Sequence, residues 1–239
     1  MPVVSQVTRE PREDVTFDEL RTGFTAAVSH ELRTPLARIL VLLDSADLPG
    51  ADVHALIEQS RAEVEHAGAL IDEILFLSEL ESGKEVVGLG HTTALPVLEA
   101  VVKEMEAASA RAGVALVAEG DASVDLPLRP RMLRMIAENL AENAIRYAGH
   151  GATLTLSVRR DEDGAVLSAR DDGIGVGAKD LPRLFERFYR TDRARASRGT
   201  GLGLAIVKHI VVAAGGTVEA RGDRAAGLDI RCVFPTTRA

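Results

Sequence analysis

Between Phe17 and Leu77 apolar residues recur at intervals of three and four, with a single interruption. The first run carries Phe17, Leu20, Phe24, Val28, Leu32, Leu36, Ile39 and Leu43. The second sets Val53, Ile57, Val64, Ile71 and Ile74 on one seam, with Leu56, Leu70 and Leu77 beside it. That period belongs to two amphipathic helices whose apolar faces are wider than a coiled-coil seam. The break, Asp47-Leu-Pro-Gly50, is a short turn, and a short link between long helices makes them antiparallel neighbours. One hairpin cannot cover so wide a stripe. Two can, as a four-helix bundle across a two-fold axis. Residues 15–82 are therefore expected to form a dimerisation module and the chain a homodimer; the alternative is a hairpin docked on its own second domain.

The 239 residues leave room for roughly two domains. Hydrophobic residues make up 46% but aromatics only 3%, so the core must be built from Leu, Val, Ile and Ala. A net charge of −8 argues against nucleic-acid binding, which needs a basic footprint. The single cysteine, Cys232, excludes an internal disulfide or a cysteine metal cluster and reads as a small core residue. No run of 18 apolar residues exists, so no membrane span is expected. Residues 1–14 are polar, lack a signal-peptide core and read as a linker. The chain is cytoplasmic as it stands, either a soluble protein or the cytosolic part of a longer one anchored in the bacterial cell membrane through N-terminal sensor segments.

Residues 83–92, rich in Gly and charge, read as a second linker. Beyond it the pattern turns to mixed helix and strand. Helices are expected at about 95–112, 131–147 and 202–214, and strands at about 114–117, 153–159, 165–170, 217–220 and 228–234. Residues 161–164 form a hairpin turn. Strands packed by helices on one face make residues 93–239 an α/β sandwich, and the whole chain α+β.

Four motifs carry chemistry. Ser29-His-Glu-Leu-Arg-Thr-Pro-Leu36 puts His30 on a helix beside Glu31, with Thr34 one turn on and Pro35 breaking the hydrogen-bond pattern. An exposed imidazole with a carboxylate and a hydroxyl suits nucleophilic chemistry with proton transfer, although a lone helical histidine is more often inert. Asn139-Leu-Ala-Glu-Asn-Ala-Ile-Arg-Tyr147 sets Asn139 and Asn143 on one face, as magnesium ligands or as surface residues. Asp171-Asp-Gly-Ile-Gly175 ends a strand in a carboxylate that could accept from an exocyclic amine, with Gly173 and Gly175 letting backbone approach a flat base; it is equally a turn. Gly199-Thr-Gly-Leu-Gly-Leu204 before a helix suits phosphate binding. It is not a dinucleotide fingerprint, which needs glycine where Leu204 stands, and there is no P-loop.

With Leu184-Phe-Glu-Arg-Phe-Tyr-Arg190, these segments resemble, in order, the H, N, first glycine, F and second glycine boxes of two-component sensor histidine kinases. The resemblance covers about Phe17 to Phe234. It implies a phospho-acceptor bundle followed by an ATP-binding domain of the type shared with gyrase B and heat-shock chaperone ATPases. By it, His30 takes the γ-phosphate of ATP, with Glu31 accepting the imidazole proton or holding the tautomer, and acting sideways toward the nucleotide. Asn143 holds Mg2+, supported by Asn139. Arg146 contacts phosphate, Tyr147 packs on adenine and Asp171 reads its amine. Residues 185–198 form a lid with Arg190 near the γ-phosphate. Gly199, Thr200, Gly201, Leu202, Gly203 and Leu204 line the phosphate side. The phosphoryl group then passes to an aspartate on the receiver domain of a response regulator, with Thr34 serving its removal from that partner. The alternatives are an ATP-driven conformational machine of the same fold, or a silent dimeric nucleotide-binding scaffold.

Overall fold

The structure, a computed structural model, describes residues 3–6, 17–81, 90–162, 164–192, 194, 199–224 and 226–235. It divides into two compact units. One is Glu10–Glu79; the other is Leu80–Ala239 together with Met1–Arg9.

The helical unit holds α1 (Phe17–Ala46) and α2 (Val53–Glu81). Helix α1 runs on through Pro35, as its apolar repeat from Phe17 to Leu43 requires. Proline removes one backbone donor, and the Thr34 hydroxyl adds a bond from Oγ1 to His30 O at 3.3 Å, one turn back. Asp52 starts α2 by accepting from Ala55 N at 3.1 Å. Arg38 on α1 reaches the buried Glu63 on α2 at 3.5 Å. Helix α2 has two apolar seams. Leu56, Leu70, Ile74 and Leu77 are buried or half-buried, whereas Val53, Ile57, Val64, Ile71 and Leu75 are exposed. Ile74 therefore belongs to the buried seam and Leu75 takes the place expected for it, because the helical period drifts against a strict heptad.

The second unit is a six-stranded sheet with helices packed on one face. Its strands are β1 (Val3–Gln6), β3 (Ala115–Gly120), β5 (Thr153–Asp161), β6 (Gly164–Asp171), β7 (Thr217–Gly222) and β8 (Leu228–Pro235). Their order is β1-β7-β8-β6-β5-β3, antiparallel except for β3 beside β5. A smaller sheet pairs β2 (Thr92–Thr93) with β4 (Asp125–Leu126). Two segments read as linkers thus contribute strands. Val3–Gln6 joins the edge of the large sheet against β7, and Thr92–Thr93 closes the small one. Strands this short carry no readable alternation, and pairing partners far away in sequence create them. Residues 83–89 of the second linker lie outside the described residues.

Helices α3 (Ala94–Ala112), α4 (Pro130–Tyr147) and α5 (Gly203–Ala213) cover the sheet. On α4 the buried residues Met132, Leu133, Ile136, Ala137, Leu140, Ala141 and Ala144 form one stripe. The sheet answers with rows set by its register. Leu156, Ala169, Ile230 and Ala220 lie side by side, as do Val158, Leu167, Cys232 and Val218, and all are buried. Cys232 is a core residue, its thiol pushed up to about 12 by burial.

Candidate functional site

In the helical unit His30 stands out from α1 with its side chain 75% exposed. Oε1 of the half-buried Glu31 lies 3.6 Å from Nδ1. This turns Nδ1 to the carboxylate and leaves Nε2 to approach from solvent. The expectation that Glu31 would point aside is corrected: its longer side chain swings back to the imidazole despite the roughly 100° between adjacent helical residues. Thr34 is exposed on the same face, its hydroxyl donating to His30 O.

In the sheet unit four of the sequence motifs converge. Helix α4 carries Asn139, Asn143 and Tyr147 at successive turns, half-buried beside its apolar stripe. The Asn139 amide nitrogen donates back to Met135 O at 2.8 Å. A side-chain carbon at Gly203 would stand 2.5 Å from Asn139 Oδ1, and one at Gly199 would stand 2.5 Å from the Tyr147 hydroxyl. The glycine loop therefore lies directly over the asparagine face and then enters α5, with Leu202 as the residue before its first turn. Thr200 is buried and accepts from Leu202 N at 3.2 Å. Leu202 is buried and Leu204 half-buried, so these two anchor the loop. The Asn143 side chain makes no hydrogen bond among the described residues, so its amide oxygen is available to a ligand. Arg146 is paired with Glu142 at 2.7 Å on the exposed edge of α4.

Asp171 ends β6 and is 7% exposed. Burial raises its carboxyl above the ordinary range, and hydrogen bonds from Gly173 N at 2.9 Å and Leu228 N at 3.3 Å oppose that rise. Ile174 N donates to Ala148 O at 2.9 Å, tying this box to the end of α4. At Gly173 and Gly175 a side chain would run into the backbone of Ala148 and Asp223, so both are small for the protein's own packing. Asp172 Oδ1 accepts from Thr153 N at 2.6 Å and holds the start of β5.

The F box follows a short 3-10 turn, Leu181–Arg183. Phe188 holds the left-handed conformation (φ 60°), and its N–H donates to Gly201 O at 3.0 Å. This joins the F box to the second glycine box. The Tyr189 hydroxyl donates to Asp180 at 2.7 Å, and the Arg183 guanidinium lies 4.2 Å from the centre of the Tyr189 ring. Arg187 lies 3.3 Å from Nε2 of His209 on α5. Arg190 is half-buried and donates to Ala194 O. Of the expected lid, residues 193 and 195–198 lie outside the described residues. Sequence reading missed Leu228 and His209. A backbone donor has no residue signature, and His209 sits in an apolar helix with no motif around it.

The sequence and the fold have counterparts. A family model described as His Kinase A (phospho-acceptor) domain matches residues 20–83. One described as histidine kinase-, DNA gyrase B- and HSP90-like ATPase matches residues 129–238, which assigns ATP binding to this unit. The phosphate regulon sensor protein PhoR of Pseudomonas aeruginosa is 35% identical over 225 residues, covering 91% of this chain and 51% of PhoR. The histidine kinase AdeS of Acinetobacter baumannii superposes with a TM-score of 0.72 at 25% identity, over 87% of this chain and 98% of that one. ShkA, solved with AMPPNP, gives 0.63 at 28% identity, over 90% of this chain and 46% of that one. The chain spans about half the length of the curated relatives it matches. With the phospho-acceptor and ATPase models in this order, and a relative aligned across both, the chain belongs to the two-component sensor histidine kinases and carries their catalytic core.

Proposed function

We propose that this core phosphorylates itself on His30 from ATP and passes the phosphoryl group to an aspartate of a response-regulator receiver domain. The observation that carries the reading is the pairing of the exposed His30 with Glu31 at Nδ1. Nε2 uses its lone pair to attack the γ-phosphorus, and the bond from that phosphorus to the bridging oxygen breaks, releasing ADP. The imidazolium formed on phosphorylation carries its proton on Nδ1, and Glu31 takes it, leaving a neutral phosphohistidine. Catalytic hydrogen bonds are often long without substrate, and a separation of 3.6 Å is of that kind.

On the nucleotide side, Asp171 accepts from the adenine amine and Tyr147 packs against the ring. Arg146 and Arg190 reach phosphate oxygens, and the loop from Gly199 to Leu204 leads the phosphates to the start of α5. The amide oxygen of Asn143, with Asn139 beside it, fits Mg2+, a hard cation that favours oxygen donors. Magnesium supplies charge neutralisation at the phosphates.

The exposed seam of α2, continued on α1 by Leu36, Leu40 and Leu43, supports a four-helix bundle between two copies. The receiver domain docks on that bundle beside His30. Dephosphorylation of the regulator belongs to Thr34, whose oxygen keeps lone pairs to orient a water while its hydrogen is bound to His30 O. No helix among the described residues is long and apolar enough to cross a membrane. Use of ATP fits the cytoplasmic side of a membrane-anchored parent. Incubation with γ-labelled ATP tests the reading. An acid-labile, base-stable label that His30→Gln abolishes is expected, and a label on another residue removes His30 from the mechanism.

A further inference from the structure

Resting on the adenine-reading role of Asp171, we infer that the turn between β7 and β8 sets the base specificity of this kinase. Leu228 N–H holds Oδ1 of Asp171 so that Oδ2 alone is presented to the base, and Gly227 allows the two strands to close that far.

The geometry is specific. The two hydrogen bonds to the Asp171 carboxylate, from Gly173 N and Leu228 N, both fall on Oδ1. Among the described residues Oδ2 accepts none. Two donors on one oxygen fix the plane of the carboxylate and hence the direction of the other oxygen. The donors also favour the ionised form against the burial that opposes it, and only that form is a pure acceptor.

Leu228 lies 57 residues from Asp171 in sequence and reaches it through sheet register. Arg170 pairs with Asp229, so the next step sets Asp171 opposite Leu228. The approach depends on Gly227. Its φ of 79° is left-handed, and a side-chain carbon there would overlap the carbonyl oxygen of Asp171 and stand 3.1 Å from Asp172 Cα. Any larger residue pushes Leu228 N–H away from Oδ1. The turn is wedged from its other side as well, because a carbon at Gly222 would stand 2.7 Å from Gly227 O. Gly227 and Leu228 thus act on the base only through Asp171, as positioning residues.

The test measures dissociation constants of the full chain for ATP and for purine riboside 5′-triphosphate, which lacks the amino group that Asp171 reads. A hydrogen bond to a charged group predicts that wild type prefers ATP roughly tenfold or more. Gly227→Ala is expected to shrink that ratio to about threefold or less, mainly by weakening ATP. Added to Asp171→Asn, it is expected to change the ratio no further, because both act on one contact. Equal weakening of both nucleotides with the ratio retained would mean a merely structural turn and overturns the inference, leaving the role of Asp171 intact. A wild type that does not discriminate sinks the role of Asp171 and this inference with it. Should Gly227→Ala fail to fold, Gly222→Ala presses on the carbonyl of Gly227 itself, without a left-handed φ, and carries the same expectation.

Discussion

Oε1 of Glu31 and Nδ1 of His30 lie 3.6 Å apart on one exposed turn of α1, so the carboxylate meets the ring nitrogen opposite the one open to solvent. A base in that position controls the proton and leaves the attacking nitrogen clear. Glu31→Gln is therefore expected to slow self-phosphorylation by about 10²–10⁴, the usual worth of a positioned base. ATP affinity, set in the other unit, is expected to stay within about twofold. Single-turnover rates and nucleotide titration check this, and a rate equal to wild type would remove Glu31 from proton transfer.

Thr34→Ala separates two roles for one hydroxyl. Its bond to His30 O is exposed and of ordinary strength, about 0.5–1 kcal/mol. If the hydroxyl serves water attack on the regulator's phosphoryl group, the variant keeps self-phosphorylation and transfer and loses regulator dephosphorylation. If it serves only the helix beside Pro35, both activities fall together with Tm. Measuring the three quantities on one preparation decides between them; the first pattern is the expected one.

The exposed seam Val53, Ile57, Val64, Ile71 and Leu75 requires a partner. A fragment spanning residues 8–85 is expected to sediment as a dimer at micromolar concentration. Val64→Glu combined with Ile71→Glu is expected to shift it to monomer, since each charge placed in an apolar interface costs several kcal/mol unless paired. A monomeric mass for the unsubstituted fragment refutes the bundle.

His209 makes stability depend on acid. Burial, with Arg187 and Lys208 nearby, lowers its imidazole from 6.5 to about 4. Unfolded chains therefore bind its proton near pH 6.5 and folded ones only near 4. Between those values the unfolded state holds more protons, so the contribution is complete above 6.5 and is lost as pH falls toward 4. Partial exposure of the ring screens the effect. Tm measured at pH 7, 6 and 5 is expected to fall, and His209→Asn is expected to reduce the slope. Parallel slopes for the two proteins would show that His209 does not control it.

Local sequence determined the elements and the motif inventory. The apolar repeats of residues 17–77 specify two helices, because side-chain direction along a helix follows from spacing alone. Alternation over 153–159 and 165–170 specifies strands that the structure extends to Thr153–Asp161 and Gly164–Asp171. The box residues were legible because each motif is contiguous. Tertiary structure decided what those motifs touch. Gly203 over Asn139, Phe188 N–H on Gly201 O, and Leu228 N–H on Asp171 join residues whose separation has no periodic trace. The strands at Val3–Gln6 and Thr92–Thr93 escaped notice for the same reason, since a strand that short is defined by its hydrogen-bonded neighbour. The partition of α2 into a buried and an exposed seam also waited on structure. An apolar residue announces that it will be covered, but only packing decides by what.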